Sequence, residues 1–96
     1  VIKRVQRLDK FLKVSRVIKR RILAKEICDR GQVMVNGRVA KAGTTVKEGD
    51  TLVINFGRRV LKLEIVSVKE NVNAGSASEL YRVIEDVYNQ GSPRLK

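Results

Sequence analysis

Leu8, Phe11 and Leu12 recur at the i, i+3, i+4 spacing of one helical face, with Arg7, Lys10 and Lys13 around them. The spacing predicts a helix from about Arg7 to Val14 that buries one stripe and displays cations beside it. Ser15 interrupts as a turn or cap residue. Ile18, Ile22, Leu23 and Ile27 then mark the apolar stripe of a second helix, roughly Lys19 to Arg30, and Gly31 stands where a helix end favours a left-handed residue. Helices this short are marginal alone and need a surface to pack on.

Beyond Gly31 the period changes to two. Gln32-Val33-Met34-Val35 alternates as a strand, Asn36-Gly37 is a strong hairpin signal, and Arg38-Val39-Ala40 begins the return. Lys47-Glu48-Gly49-Asp50 reads as a turn into a strand over Thr51 to Asn55. Phe56 to Arg59 reads as a turn with two exposed cations. Val60 to Val68 is a further strand whose apolar phase shifts at Val66, which implies a bulge or bend. Residues 70–77 are small and polar and read as a linker. Leu80, Tyr81, Ile84, Val87 and Tyr88 then fall on one side of a final helix over 78–90, with a serine as its cap. Residues 1–6 read as an N-terminal arm and 91–96 as a disordered tail. The expected fold class is α+β: two short N-terminal helices on a small, mostly antiparallel sheet within residues 7–69, followed by the linker and the C-terminal helix.

With 96 residues, 43% of them hydrophobic, the chain suffices for one domain with one modest core. Charge changes the picture more. The first thirty residues hold eleven Lys and Arg against Asp9, Glu26 and Asp29, and so carry +8 of the total +11. Residues 31–60 add +3 and residues 61–96 sum to zero. The excess belongs to one segment, which points to a polyanion, with folded RNA the first candidate.

Enzyme chemistry has little to stand on. The chain has no His, one cysteine (Cys28), no phosphate-loop pattern and no nucleophile elbow. Cys28 suits a small semi-buried side chain in a reducing cytosol, and no metal or other cofactor is expected. Asp9 with Lys13, Glu26 with Arg30, and Asp29 with Lys25 are at ion-pairing distance along a helix, a better account of these carboxylates than acid–base work. No run approaches the eighteen or so apolar residues of a membrane span, so no membrane partner is expected and a cytoplasmic location is.

Arg7, Arg16, Arg20 and Arg21 gather at one helix–turn–helix junction, and the planar guanidinium fork suits bidentate phosphate contact. Arg38, Lys41, Arg58 and Arg59, on hairpin turns, either extend that footprint or serve solubility, and Arg38 and Lys41 are taken as candidates. Phe11 belongs to a core stripe, Phe56 lies at a strand end, and Tyr81 and Tyr88 fall in the neutral third. With almost no aromatic platform among the cations, the chain reads as a binder of backbone shape in structured RNA. Duplex DNA remains open, because a helical pair also serves DNA-binding proteins.

Arg7-Leu8-Asp9-Lys10-Phe11-Leu12, the Ser15-Arg16 turn, Lys19-Arg20-Arg21 with Ala24, and Cys28-Asp29-x-Gly31-x-Val33-x-Val35-Asn36-Gly37 together closely resemble the RNA-binding domain family named after small-subunit ribosomal protein four, the S-four or alpha-L motif. The resemblance is strong from Arg7 to Ile54 and looser to Val68. Within that family the opening and the Ile54-Asn55-Phe56-Gly57 run look most like the RqcP type of bacterial ribosome-associated quality control. A heat-shock relative, which binds free large subunits carrying stranded peptidyl-tRNA, typically has a longer basic C-terminal extension.

The resemblance implies a non-catalytic binder of large-subunit rRNA and P-site peptidyl-tRNA on obstructed large subunits. There it would support an RqcH/NEMF-type tailing factor as it adds a C-terminal alanine tail without messenger RNA. The matching RNA-contacting positions are Arg7, Arg16, Lys19, Arg20 and Arg21. Placement alone adds Lys10, Lys13, Lys25, Arg38 and Lys41. A monomer is expected, though a homodimer is not excluded. The alternatives are the heat-shock-type recycling factor and another structured-RNA module in ribosome assembly.

Overall fold

The computed structural model describes residues 4–70 and 72–88. Two helices lie on one face of a five-stranded antiparallel sheet, and a separate two-stranded ribbon closes one end. In chain order the elements are β1 (Val5–Arg7), α1 (Leu8–Val14), α2 (Arg21–Asp29), β2 (Val33–Val35), β3 (Arg38–Val39), β4 (Thr45–Lys47), β5 (Thr51–Asn55), β6 (Arg59–Ile65), a 3-10 helix (Ala74–Leu80) and β7 (Tyr81–Tyr88). The sheet order is β3-β2-β5-β6-β7, while β1 pairs only with β4. The α+β architecture with two short N-terminal helices on an antiparallel sheet is as expected.

Alternation builds the core. Val33 lies opposite Ile54, Leu52 opposite Leu63, and Ile54 opposite Leu61, so one sheet face is a continuous apolar surface. Leu8, Phe11 and Leu12 of α1 pack on it with no exposed surface, joined by Ala24 and Cys28 of α2. Burying a side chain of this size stabilises the fold by about 1.5–3 kcal/mol.

The helix ends show how such short helices hold. Arg7, before α1, offers no side-chain cap. Instead the Leu8 and Asp9 N–H groups donate to the Thr44 and Ala42 carbonyls, at 2.7 and 3.2 Å, so the loop before β4 satisfies donors that α1 leaves open. At the far end of α2, Gly31 (φ +78°) donates to the Cys28 carbonyl and Gln32 to the Ile27 carbonyl, the paired bonds of a Schellman termination. Asn36 and Gly37 both have positive φ, +51° and +86°, as a type I′ hairpin turn requires.

Several expectations need correction. Val5 and Gln6 are not a loose arm: they begin β1, and Gln6 is buried, its Nε2 donating to the Lys69 carbonyl at 2.9 Å. The second helix starts at Arg21 rather than Lys19, because residues 17–19 are a bend leading to an extended Arg20. Its buried stripe is Ala24 and Cys28 with Ile27 partly covered, whereas Ile22 is 75% exposed and Leu23 is also exposed. α2 packs against α1, and its small side chains Ala24 and Cys28 are the buried ones. Arg59 does not stand free in its turn but is held by Asp86, and β6 ends at Ile65 rather than Val68, so the phase shift at Val66 falls beyond the strand.

The largest correction is at the C-terminus. Residues 81–88 form strand β7, not a helix, and part of the expected linker belongs to the 3-10 helix that buries Ala77 and Leu80. Tyr, Val and Ile suit a strand, and the free edge of β6 offers a full ladder of backbone partners that outweighs the helical spacing. Between Lys62 and Leu63 of β6 the register shifts, leaving Ile84 as an extra residue in β7. Beyond it Asp86 lies opposite Leu61, on the face that carries Arg59. Arg59 then holds Asp86 through two bonds of 2.8 and 2.9 Å and lies over the rings of Phe56 and Tyr88. The expected helical residues 89 and 90 and the expected tail, 91–96, lie outside the described residues.

Candidate nucleic-acid interface

The basic residues of the first third radiate from the α1–α2 unit, whose inner side is committed to the core. Arg7, Lys13, Arg16, Lys19, Arg20, Arg21 and Lys25 are exposed, and so are Arg38 and Lys41 beyond the hairpin turn. Lys10 is half-buried and engaged, because its ammonium forms an ion pair with Glu70.

Asp9 organises two of these cations. Its side chain is 3% exposed, and its carboxylate accepts from Arg7 Nε (3.2 Å), Arg7 Nη2 (3.4 Å), Arg21 Nη2 (3.4 Å) and the Lys10 backbone N–H (2.8 Å). Burial alone would raise the Asp9 pKa, but the hydrogen bonds and charges of Arg7 and Arg21 outweigh it and hold the carboxyl below its ordinary value. Asp9 is therefore a fixed anion that aims the guanidiniums of two elements in one direction. About half of the Arg7 and Arg21 side chains remains exposed, which leaves donors for a further oxyanion. The Ala42–Thr44 loop flanks this pair: a Cβ at Gly43 would stand 3.8 Å from Arg7 Nη2.

Arg16 is presented differently. It has φ +65°, a left-handed conformation costly for a side chain other than glycine, directly after the last turn of α1. Its N–H donates to the Lys13 carbonyl at 3.1 Å, and Ile18 returns to the Leu12 carbonyl at 3.0 Å, so the turn is tied down on both sides of Arg16. Lys13 and Arg16 border a small recess beside Val72. Lys41 Nζ lies 3.5 Å from the Asp29 carbonyl, close to the C-terminal end of α2.

The structure thus joins Arg7 with Arg21 through Asp9, and Lys13 with Arg16 around one recess. It turns Lys10 toward Glu70 and sets Lys41 by the far end of α2. The anticipated Asp9–Lys13 pair is replaced by pairs with the neighbouring Arg7 and the distant Arg21, and among the described residues no ion pair joins Glu26 to Arg30 or Lys25 to Asp29. Lys69 was not foreseen as part of this side. Its segment read as a strand end and linker, and its placement comes from the Gln6 bond across the fold.

Two other polar centres are structural. Asp50 accepts from the Lys47 N–H, Lys47 Nζ and Asn36 Nδ2 at 3.0, 3.0 and 3.1 Å, and these bonds outweigh its burial and lower its pKa. Cys28 is fully buried, and burial with the nearby Asp9 and Asp29 charges pushes its thiol up to about 11, so it stays protonated at neutral pH. Among the described residues no group of three His, Cys, Asp or Glu could hold a metal ion, and no helix is long and apolar enough to cross a membrane.

A family model described as the S4 domain matches residues 6–52. Over 77 residues the chain is 65% identical to the RQC P-site tRNA stabilizing factor of Halalkalibacterium halodurans, covering 80% of this chain and 88% of that one. It is 50% identical over 80 residues to the protein of the same name from Listeria monocytogenes, covering 83% and 87%. Among solved structures it is similar to the trimeric Heat Shock Protein 15 of Vibrio cholerae, with a TM-score of 0.77, 31% identity and coverage of 83% and 82%.

Proposed function

The chain belongs to the family of RQC P-site tRNA stabilizing factors, built on the S4 domain, and from that premise we propose that it is a non-catalytic clamp on RNA. It binds large-subunit rRNA and P-site peptidyl-tRNA on obstructed large subunits in the cytoplasm. It acts there as a monomer, alongside an RqcH/NEMF-type factor that extends the stalled chain with alanine in the absence of messenger RNA.

The observation that carries this reading is the cation set at the α1–α2 junction, with Arg7 and Arg21 aimed by one buried carboxylate. Guanidiniums held before binding lose less freedom when they engage phosphates, so more of each contact appears as affinity. Arg16, Lys19 and Arg20 extend the row along the turn, while Lys13 and Lys25 flank it on the helices. Arg38 and Lys41 widen it at the hairpin. Lys10 contributes by fastening Glu70. If these cations bridge phosphates of rRNA and tRNA only when the tRNA is in its P-site position, binding shifts the population toward that position, and no bond chemistry is required.

Co-sedimentation with large subunits bearing peptidyl-tRNA, against empty subunits, tests the reading. The wild type is expected to prefer the tRNA-bearing particle, and Arg16→Ala to lose that preference and lower the salt slope of binding by about one. Equal binding to both particles by the wild type would refute the P-site role. The likeness to Heat Shock Protein 15 favours one second reading, a recycling factor for large subunits with stranded peptidyl-tRNA. That factor would act equally with or without the tailing partner, whereas the clamp would raise alanine addition only in its presence.

A further inference from the structure

Beside the Arg16 turn lies an open groove of about 320 Å³ lined by Lys69, Val72, Asn73 and Ser76. Through Val72 it adjoins the recess of about 40 Å³ bordered by Lys13 and Arg16. The segment forming its far wall is fixed to the N-terminal part of the fold. Gln6 Nε2 donates to the Lys69 carbonyl at 2.9 Å, Lys10 pairs with Glu70, and Val68 is buried in the core. The groove therefore keeps a set position relative to α1.

Its chemistry is mixed in a specific way. Lys13, Arg16 and Lys69 have no ion-pair partner among the described residues, and all three are exposed. Val72 packs against the core and provides an apolar floor. Among the described residues the Asn73 amide and Ser76 hydroxyl make no side-chain hydrogen bond, so a donor–acceptor amide and a hydroxyl are free to serve a ligand. Lys69 with Asn73 and Ser76 in the groove, and Lys13 with Arg16 in the adjoining recess, match a nucleotide, with phosphate toward the cations and base edge toward the amide.

We propose that this groove is a subsite for one unpaired nucleotide of the bound RNA, adjoining the phosphate row at Arg16. The inference rests on the RNA-clamp reading and adds a base-reading element to it. The volume lies near the lower end of small-ligand sites, about 300–1,000 Å³, which suits a single nucleoside. Among the described residues no aromatic side chain lines the groove, so the base is held by edge hydrogen bonds and the Val72 floor rather than by stacking. A paired base could not offer its Watson–Crick edge there.

The test uses the full chain and large subunits bearing peptidyl-tRNA, with affinity measured between 50 and 200 mM salt. The double variant Asn73→Ala/Ser76→Ala is expected to lose about tenfold in affinity with its salt slope unchanged, because it removes base contacts only. Lys69→Ala is expected to bind more weakly and to lower the slope by about one. Circular dichroism identical to the wild type would assign either loss to the groove. A photoreactive side chain at position 73 should crosslink to an RNA nucleotide, and crosslinking to protein alone would overturn the proposal. Wild-type affinity in the double variant would overturn the groove and leave the clamp standing. A wild type without preference for the loaded particle would remove the clamp, and the groove's role with it.

Discussion

A carboxylate taken out of water between two arginines is stabilising only while both remain in place, and Asp9 meets that condition with partners from two elements. Asp9→Asn keeps the size and an oxygen for the Lys10 N–H but removes the charge that holds Arg7 and Arg21. Because those arginines are half exposed, they rehydrate, and the expected loss is about 1–2 kcal/mol, read as a lower urea midpoint at pH 7. The effect depends on pH in a defined direction. The folded-state pKa of Asp9 is depressed, so its contribution is complete above the unfolded value of about 3.9 and is lost as pH falls through the lower folded value. Wild type and variant should therefore converge in stability as pH is lowered below that range. A gap that persisted undiminished in acid would mean that the substitution acts through packing. At pH 7 the same variant should also bind RNA more weakly, since its arginines must be ordered on binding.

At the scale of elements, β7 shows how one residue of offset is absorbed. Ile84 is the extra residue, left without a partner while Asp86 lies on the face of Arg59. Deleting Ile84 would remove the unpaired residue, leave Asp86 opposite Leu61 in a regular ladder, and so keep the two bonds to Arg59 and the Tyr88 ring contact. The expected outcome is amide exchange through β7 at least as slow as in the wild type, with α1 and α2 unchanged. Faster exchange across the β7 ladder in the deletion variant would contradict that account. The elements differ in how legible they were. The Leu8, Phe11 and Leu12 stripe, the Gly31 stop and the Asn36-Gly37 turn are local in origin, and each formed as expected. β1 and β4 are three residues long, too short for alternation to register, and they exist because they pair with each other. β7 carried a helical spacing that the open edge of β6 overrode. At the site, the cations were visible as charges, but the partners of Asp9 were not, because Arg21 reaches it from another helix.

Over the whole molecule, charge is segregated along the chain, +8 in the first thirty residues against zero over 61–96, and the fold keeps much of it together around α1 and α2. If binding is dominated by that side, its salt dependence should report substitutions there and ignore those on β7. Arg20→Gln is expected to lower the salt slope by about one. Arg82→Gln, which loses only its Glu64 partner on the strand edge, should leave the slope as it is. A slope that fell equally in both variants would indicate diffuse attraction rather than a defined face. The same fold orders the events of its own synthesis. The first donors of α1 wait for carbonyls at Ala42 and Thr44, β1 waits for β4, and Gln6 waits for Lys69. Made from the N-terminus, the chain emerges with its cations first and its scaffold last. On the proposed reading, a clamp on ribosomal RNA thus leaves its own ribosome with the gripping surface still unassembled, and acquires it only once Lys69 is out.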